Sequence, residues 1–300
     1  MLQRAAAAAC AHQSYPPGTL YLVATPIGNL ADLTLRAIHV LTRVDAVACE
    51  DTRVTGQLLA WLGIDKPLRA LHAHNENSAA EAIVQQLSRG ESVAYLSDAG
   101  TPGISDPGAR LVAAAVAAGH RVVPIPGPSS AVAALSVAGD LHGAGFRFVG
   151  FLPAKGTERR RALQALAAEA QTVVLFESPH RIVTLIDELA HEAPGRAVSV
   201  ARELTKQFET VFTAPAAQLP AWLAADEHRR RGEFVLVLHA LPAPAAAAAA
   251  LDVEAMRCLR TLLRDLPLKQ AVGLAAELSG APRNLLYDEA LRQRDAAADG

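Results

Sequence analysis

The chain of 300 residues is poor in the features that build disulfide, zinc or membrane proteins. Its three cysteines, Cys10, Cys49 and Cys258, are far apart and form no C-x-x-C pair, which argues against a disulfide framework and a structural zinc site. The net charge is -2, so a surface that is basic throughout is excluded. No apolar run approaches the roughly eighteen residues of a membrane span. We therefore expect a cytoplasmic protein with no membrane contact.

Two phosphate-binding motifs, G-x-G-x-x-G and G-x-x-x-x-G-K-[ST], are absent as well. Instead, the apolar run 93–96 is followed by the loop SDAGTPGISDPG over residues 97–108. Its glycines and prolines exclude a strand or a long helix, so it should lie at the C-terminal end of a strand, where open α/β sheets bind ligands. Its carboxylates and hydroxyls suit a ribose, an amino group or a sulfonium. If Asp106 only caps the next helix, Asp98 and Thr101 have no role.

Apolar runs and helical stretches divide the chain into segments. Residues 18–138 alternate between them, which predicts an N-terminal α/β domain with a mostly parallel sheet and right-handed crossovers. After a glycine-rich linker, strands dominate residues 146–240 and predict a mixed α/β domain. The alanine-rich residues 1–17 are expected to be a disordered leader, with a signal peptide as the less favoured alternative.

A Pro/Ala linker precedes the last segment, residues 251–295. A helix, a short turn with glycine and a second helix predict a helix-turn-helix-like module there. Residues 251–300 contain seven basic and eight acidic side chains, so strong binding to phosphates by this module alone is doubtful. A three-helix docking or dimerisation domain is the alternative.

Charged side chains follow several predicted strands: EDTR at 50–53, ESPHR at 177–181 and RELTK at 202–206. Such groups are costly when dry and unpaired, so each set is either paired or functional. In the structural alternative for the first set, Thr52 caps a helix and Glu50 pairs with Arg53.

Two further patterns are weaker. His72, His74 and Glu76 have no matched distant ligand, so we expect no metal site. The arginine triplets at 159–161 and 229–231 could bind nucleic acid or could be solvated helix faces.

Seven motifs in order closely resemble the ribosomal RNA small-subunit methyltransferase I family, a branch of the tetrapyrrole methylase superfamily. They are TPIGNL at 25–30, EDTR at 50–53, the loop at 97–108, PGP at 126–128, GFLPAK at 150–155, FESPHR at 176–181 and RELTK at 202–206. The resemblance covers about residues 18 to 295. It implies a two-domain tetrapyrrole-methylase-like fold, S-adenosylmethionine as donor, a homodimer, and 2′-O-methylation of cytidine 1402 in 16S rRNA within the 30S subunit.

One departure concerns the substrate. Superfamily members that act on porphyrin-like rings typically carry G-x-G-P-G where this chain has TPIGN at 25–29. The expected substrate is therefore not a tetrapyrrole. A C- or N-methyltransferase of small molecules and a non-catalytic RNA-binding assembly factor remain the alternatives.

The resemblance also implies roles for individual residues. Nine would contact the donor: Asp98, Gly100, Thr101, Ile104, Ser105, Pro126, Ser129, Ala131 and Phe176. Because a ribose hydroxyl is a poor nucleophile, a base or a cation near it should help. Asp51 or Glu177 is the expected base, and Arg53 or Lys206 the expected cation. Five arginines are expected to contact RNA: Arg159, Arg160, Arg181, Arg202 and Arg283.

Overall fold

The first half of the chain forms a five-stranded parallel sheet. A computed structural model describes residues 1–72, 74–105, 107–242 and 251–298, with side chains through residue 294. The strands are β1 (Thr19–Val23), β2 (Ala46–Cys49), β3 (Leu68–Ala70), β4 (Val93–Leu96) and β5 (Arg121–Ile125), in the order β3-β2-β4-β1-β5. β2 and β4 are buried along their whole length, which explains their continuous apolar sequence.

Helices cover both faces of this sheet. One face packs against α2 (Leu35–Arg43) and α3 (Thr52–Leu62), and the other against α4 (Glu76–Ser88) and α5 (Ala109–Ala117). The chain leaves β1 towards β2 and leaves the neighbouring β4 in the opposite direction, towards β5. The C-terminal ends of β1 and β4 therefore form a topological switch point, where such sheets bind ligands.

The N-terminal segment corrects the expectation of a disordered leader. Residues Leu2–Ala9 form helix α1, whose Ala6 is fully buried in the core that contains α2. Gln3 Nε2 donates hydrogen bonds to the carbonyl oxygens of Leu62 (2.9 Å) and Gly63 (3.2 Å) at the end of α3. The small alanine side chains let this helix approach the domain closely, which composition alone does not reveal.

The second sheet is mixed. It contains β6 (Phe146–Phe151), β7 (Thr172–Glu177), β8 (Ala197–Arg202), β9 (Thr210–Pro215) and β10 (Phe234–Leu238), in the order β6-β7-β10-β8-β9. β6 and β7 are parallel, and the remaining pairs are antiparallel. The parallel sheet followed by a mixed sheet confirms the predicted α/β fold class.

Four helices cover the second sheet. α7 (Gly156–Ala168), α8 (Ile182–Glu192) and α9 (Leu219–Ala224) pack on one face. The other face receives α6 (Ser130–Ala138), which follows β5 of the first sheet. The two sheets thereby share a core and belong to one compact unit, Met1–Leu241.

The remaining residues, Pro242–Gly300, form a separate unit. Its helices are α10 (Val253–Leu262), α11 (Leu268–Ser279) and α12 (Arg283–Ala298), which share a small core of alanine, leucine and valine. Gly280, with φ of 70°, ends α11 in the left-handed conformation that glycine favours. This is the predicted helical module, while most of the expected Pro/Ala linker lies outside the described residues. Among the described helices, none is both long and apolar enough to cross a membrane.

Candidate functional site

The switch point opens into a cavity of about 420 Å³, called the first cavity below. Its floor is fixed by two hydrogen bonds, from Thr25 N to Gly100 O (2.9 Å) and from Gly100 N to Thr25 O (3.1 Å). The first half of the chain contributes Ile27, Ala99, Gly100, Thr101, Ile104, Ser105, Ser129 and Ser130 to its walls, and the second sheet with its loops contributes mainly Phe151, Phe176, Glu177, Leu204, Glu233 and Val235. The cavity therefore lies between the two sheets and combines apolar walls with hydroxyl groups.

Six of the nine expected donor residues line this cavity: Gly100, Thr101, Ile104, Ser105, Ser129 and Phe176. The other three do not. Asp98 lies on the far side of the loop, where its Oδ1 accepts a hydrogen bond from Asp51 N (3.0 Å). Ala131 is buried against the second sheet and Pro126 is exposed outside the cavity. Donor contact by these three residues stays a prediction.

The loop that follows β4 is held in an unusual conformation. Ser105 has φ of 63°, a value that side chains other than glycine rarely adopt. Its Oγ would be 2.9 Å from a Cβ on Gly150 of β6, so the second sheet approaches the loop closely only because residue 150 is glycine. Thr101 Oγ1 donates to Pro128 O (3.0 Å). Strained backbone held by surrounding contacts is common at binding sites, and this loop fits that description.

The expected base Asp51 is instead a helix cap. Its Oδ1 accepts hydrogen bonds from Arg53 N (2.8 Å) and Nε (3.1 Å), and its Oδ2 from Arg53 Nη2 (2.6 Å). These bonds to Arg53 lower the pKa of Asp51 to about 2, so it is a poor proton acceptor at neutral pH. Asp51, not Thr52, is the N-cap of α3, and Arg53 pairs with Asp51.

Glu177 is the centre of a buried ion-pair network. Its fully buried side chain lies 3.1 Å from Arg181 Nε and 3.8 Å from Arg159 Nη1, and Oε1 accepts from Ser178 N (2.8 Å). The same two arginines donate to the carbonyl oxygens of Leu152 and Pro153. Glu177 lines the first cavity but is buried between two guanidinium groups, and its Oε2 has no hydrogen-bond partner among the described residues. The two nearby cations disfavour Glu177 as a base.

Lys206 is fixed at the edge of the first cavity. Its Nζ donates to Glu203 Oε1 (2.9 Å) and to Glu233 Oε2 (2.8 Å), and Glu233 lines the cavity. Partial burial opposes its charge, but the two hydrogen bonds outweigh this and raise the pKa of Lys206. Its side chain lies against Gly28, where a Cβ would be 2.5 Å from Lys206 Cγ. The ammonium group is thus charged at neutral pH and held in place.

The five arginines expected at RNA differ in exposure. Arg160 and Arg283 are exposed. Arg159 is buried and bonded to Glu188 (2.6 Å), and Arg202 is buried with its guanidinium donating to the carbonyl oxygens of Phe208, His228 and Arg231. Arg181 is partly buried against Glu177. Buried, bonded guanidinium groups are poorly placed to reach phosphates, which makes Arg160 and Arg283 better candidates for RNA contact than Arg159 and Arg202.

Glu76 supports the start of α5, and His72 and His74 contact each other. Glu76 Oε1 accepts from Gly108 N (3.0 Å) and Arg110 N (3.2 Å) at the start of α5. The expected cap, Asp106, lies outside the described residues. The rings of His72 and His74 meet edge to face, 6.0 Å apart. No group of three or more His, Cys, Asp or Glu that could hold a metal is present in the part of the chain that the structure describes.

Several residues of the site escaped the sequence analysis. Phe151 and Leu204 line the first cavity although they were quoted only as parts of motifs. Phe151 belongs to β6 but is more than half exposed, and an exposed phenylalanine beside a cavity is unusual enough to draw attention once a structure is known. Glu233 also lines the cavity, and its place directly before the apolar run of β10 is a signal that the sequence offers.

Comparisons with known proteins agree with this architecture. The family model "Tetrapyrrole (Corrin/Porphyrin) Methylases" matches residues 19–220, and the model "RsmI C-terminal HTH domain" matches residues 243–294. In structure, the chain is similar to "Uroporphyrin-III C-methyl transferase from Thermus thermophilus complexed with S-adenyl homocysteine", with a TM-score of 0.51 and 20% identity over 73% of this chain and 96% of that one. That likeness is one of fold.

Comparison of sequences identifies the family more narrowly than comparison of folds. Ribosomal RNA small subunit methyltransferase I of Escherichia coli O157:H7 is 49% identical over 278 residues, which cover 92% of this chain and 96% of the relative. The protein of the same name from Xylella fastidiosa (strain Temecula1) is 52% identical over 272 residues, covering 90% and 98%. The chain therefore belongs to the ribosomal RNA small subunit methyltransferase I family, within the tetrapyrrole (corrin/porphyrin) methylases.

Proposed function

We propose that this chain transfers a methyl group from S-adenosylmethionine to the 2′-hydroxyl of cytidine 1402 in 16S rRNA. Family membership supports methylation of small-subunit ribosomal RNA. The single observation that carries the chemistry is the fixed cation Lys206, hydrogen-bonded to Glu233 at the edge of the first cavity. A protonated amine in that place can stabilise an oxygen that becomes negative during transfer.

The first cavity fits the donor. Its apolar walls, including Ile27, Phe176 and Val235, suit the faces of an adenine ring. The hydroxyls of Thr101, Ser105 and Ser129 offer hydrogen bonds to a ribose or an amino-acid group. Among the described residues, no lysine or arginine lines it, which agrees with a donor that carries no phosphate.

The protein itself needs to supply few reactive groups for this reaction. When bound, S-adenosylmethionine supplies an electrophilic methyl group, whose carbon–sulfur bond breaks as the bond to the ribose oxygen forms. The residues of the chain must align the hydroxyl with that group and exclude water. The walls contributed by both sheets serve this purpose, because they surround the donor from two sides.

Lys206 and Glu233 act on the hydroxyl itself in this proposal. The ammonium group of Lys206 stabilises the developing alkoxide, and its raised pKa keeps it charged. Glu233, whose carboxylate is largely exposed and accepts from Lys206, takes the hydroxyl proton. Asp51 and Glu177, first expected as bases, have structural roles in this proposal. Arg53 pairs with Asp51, and two arginines pair with Glu177.

The RNA contacts in this proposal come from exposed cations. Arg53 stands at the start of α3 and is almost fully exposed, and Arg160 and Arg283 are also exposed. Such side chains neutralise phosphates without reading sequence. The substrate is 16S rRNA within the 30S subunit, and the working form is a homodimer located in the cytoplasm.

The test is to incubate the protein with methyl-labelled donor and either unmodified 30S subunits or protein-free 16S rRNA, and to map the label. We expect label on one ribose, that of cytidine 1402, with the 30S subunit as the better substrate. Subunits that already carry this methyl group are the control and should take up no label. Donor binding without transfer to either RNA would overturn the proposal in favour of a small-molecule substrate or a non-catalytic assembly factor.

A further inference from the structure

A second cavity of about 310 Å³ lies on the other side of the segment that floors the first. Thr25, Pro26 and Gly28 line it from the loop after β1, and Asp98 from the loop after β4. The paired residues Thr25 and Gly100 thus separate two cavities, one on each side. The second cavity has no part in holding the donor as proposed above.

One face of α3 forms the opposite wall. Val54, Gln57, Leu58 and Trp61 line the cavity, and their spacing places them on one side of a helix. Trp61 is 50% exposed. Leu30, across the cavity, and Val54 are also large apolar side chains left open to solvent. Exposed apolar side chains gathered around one cavity mark a binding surface more often than chance.

Lys206 lies between a residue of the second cavity and a residue of the first. Its side chain lies against Gly28, which lines the second cavity, and its Nζ bonds to Glu233, which lines the first. If the ribose hydroxyl meets Lys206, the base attached to that ribose must lie within a few ångströms. The second cavity is the apolar space next to this point.

We infer that the second cavity binds the base of the nucleotide that is methylated, with Trp61 as its stacking surface. The inference rests on the proposed function. It adds that the enzyme binds the base of the nucleotide as well as its ribose hydroxyl. A base taken out of its stack loses contacts with its neighbours, and an aromatic side chain restores them.

The polar groups of the cavity fit a base better than an apolar side chain of a partner protein. Gln57 carries an amide that can both donate to and accept from the edge of a base, and Asp98 offers a carboxylate to an exocyclic amino group. Arg53 neighbours Val54 on α3 and projects into solvent, where it can contact the flanking phosphate. An apolar partner would make no use of these polar groups.

The direct test uses the fluorescence of Trp61. The chain has two tryptophans, so Trp222→Phe leaves Trp61 as the single one. The ring of Trp222 stacks on Phe212 at 4.7 Å, and phenylalanine preserves this contact. An oligoribonucleotide with the decoding-region sequence should quench Trp61, whereas the same oligonucleotide without a base at the target ribose should quench it far less. Equal quenching by both would overturn the inference.

Turnover on 30S subunits gives the second readout. Trp61→Ala should lower kcat/KM for the RNA about 10- to 100-fold, the range expected for loss of one stacked base, with donor binding unchanged. Trp61→Phe should recover most of the activity. Val116→Ala, which truncates an exposed side chain of α5, is the matched control and should behave as wild type.

The outcomes separate this inference from the proposed function. Transfer by the wild type that is unaffected in Trp61→Ala would refute the base site alone. No transfer by the wild type to any RNA would refute the proposed function, while the quenching comparison would still decide whether the cavity holds a base. A change of molar mass in Trp61→Ala by light scattering, with RNA kinetics intact, would show that the cavity receives a second copy of the chain instead.

Discussion

Two clusters of carboxylate and arginine stand at strand ends of this protein, and they look alike in sequence but differ in environment. After β2, Asp51 pairs with Arg53, whose side chain is 86% exposed. At the end of β7, Glu177 pairs with Arg181 and Arg159, and its side chain is 0% exposed. The first cluster caps a helix, and the second fixes the segment between β6 and α7. Neither has a carboxylate that is both open to solvent and at the first cavity.

The comparison teaches that charge at a strand end is not by itself a mark of catalysis. The cluster that fits the chemistry best is intermediate in exposure: Lys206 with Glu203 and Glu233. Its cation is fixed, as in the buried cluster, yet one of its carboxylates reaches solvent and the first cavity, as in the exposed cluster. A catalytic cluster needs both a place at the first cavity and access to solvent. The cluster of Asp51 is not at the first cavity, and the cluster of Glu177 is buried.

The largest expected effect comes from Glu177→Gln in the buried cluster. Glutamine preserves the volume and can still accept from Ser178 N, but it removes the charge that faces two guanidinium groups. Arg159 keeps Glu188 as a partner and Arg181 is partly exposed, so we expect a cost of about 1–3 kcal/mol, the range for a buried polar group that loses its partner. Urea unfolding followed by circular dichroism should show a clear drop in midpoint with the slope unchanged.

A midpoint equal to wild type would show that Glu177 is not the centre of a stabilising network. Arg160→Gln is a suitable control, because Arg160 neighbours Arg159 on α7 but is exposed. We expect its unfolding midpoint to stay at the wild-type value, since solvated surface charges contribute little to stability.

A smaller effect is expected for Asp51→Asn in the exposed cluster. Asparagine can still cap α3, so turnover on 30S subunits at pH 7 should stay within about threefold of wild type, as for the loss of an exposed ion pair. If Asp51 were the catalytic base, turnover would instead fall by orders of magnitude.

The same variant makes a prediction about pH. The folded-state pKa of Asp51, about 2, lies below its ordinary value of 3.8, so its charge adds stability above that ordinary value and loses this contribution as pH falls towards 2. The stability of wild type and Asp51→Asn should therefore converge between pH 4 and pH 2. A difference that persists at pH 2 would contradict the assignment.

Much of the fold follows from the sequence. The apolar run at Val93–Leu96 matches β4 residue for residue, and the change from alternating to strand-rich sequence near residue 146 marks the start of the mixed sheet. The loop after β4 was placed at a strand end by its glycines and prolines, and Gly100, Thr101 and Ser105 do line a cavity there. Local patterns were sufficient because each reflects burial or turn geometry within a few residues.

Predictions from the sequence failed where contacts between distant segments determine the burial or the partner of a residue. Arg159 and Arg160 are adjacent in one triplet, yet helix phase buries the first against Glu188 and exposes the second. The alanine-rich start of the chain became α1 because α2 and the end of α3 give it a surface to pack on. Asp51 and Arg53 were expected to act on a substrate, but the short distance along the chain lets them bond to each other.

The most direct test of the central claim compares Lys206→Met and Asp51→Asn with wild type in single-turnover methyl transfer to 30S subunits. We predict that Lys206→Met lowers the transfer rate about 100- to 1,000-fold, with the dissociation constant of the donor unchanged, and that Asp51→Asn transfers at nearly the wild-type rate to the same ribose. A wild-type rate in Lys206→Met, or a collapse of the rate in Asp51→Asn, would contradict the account.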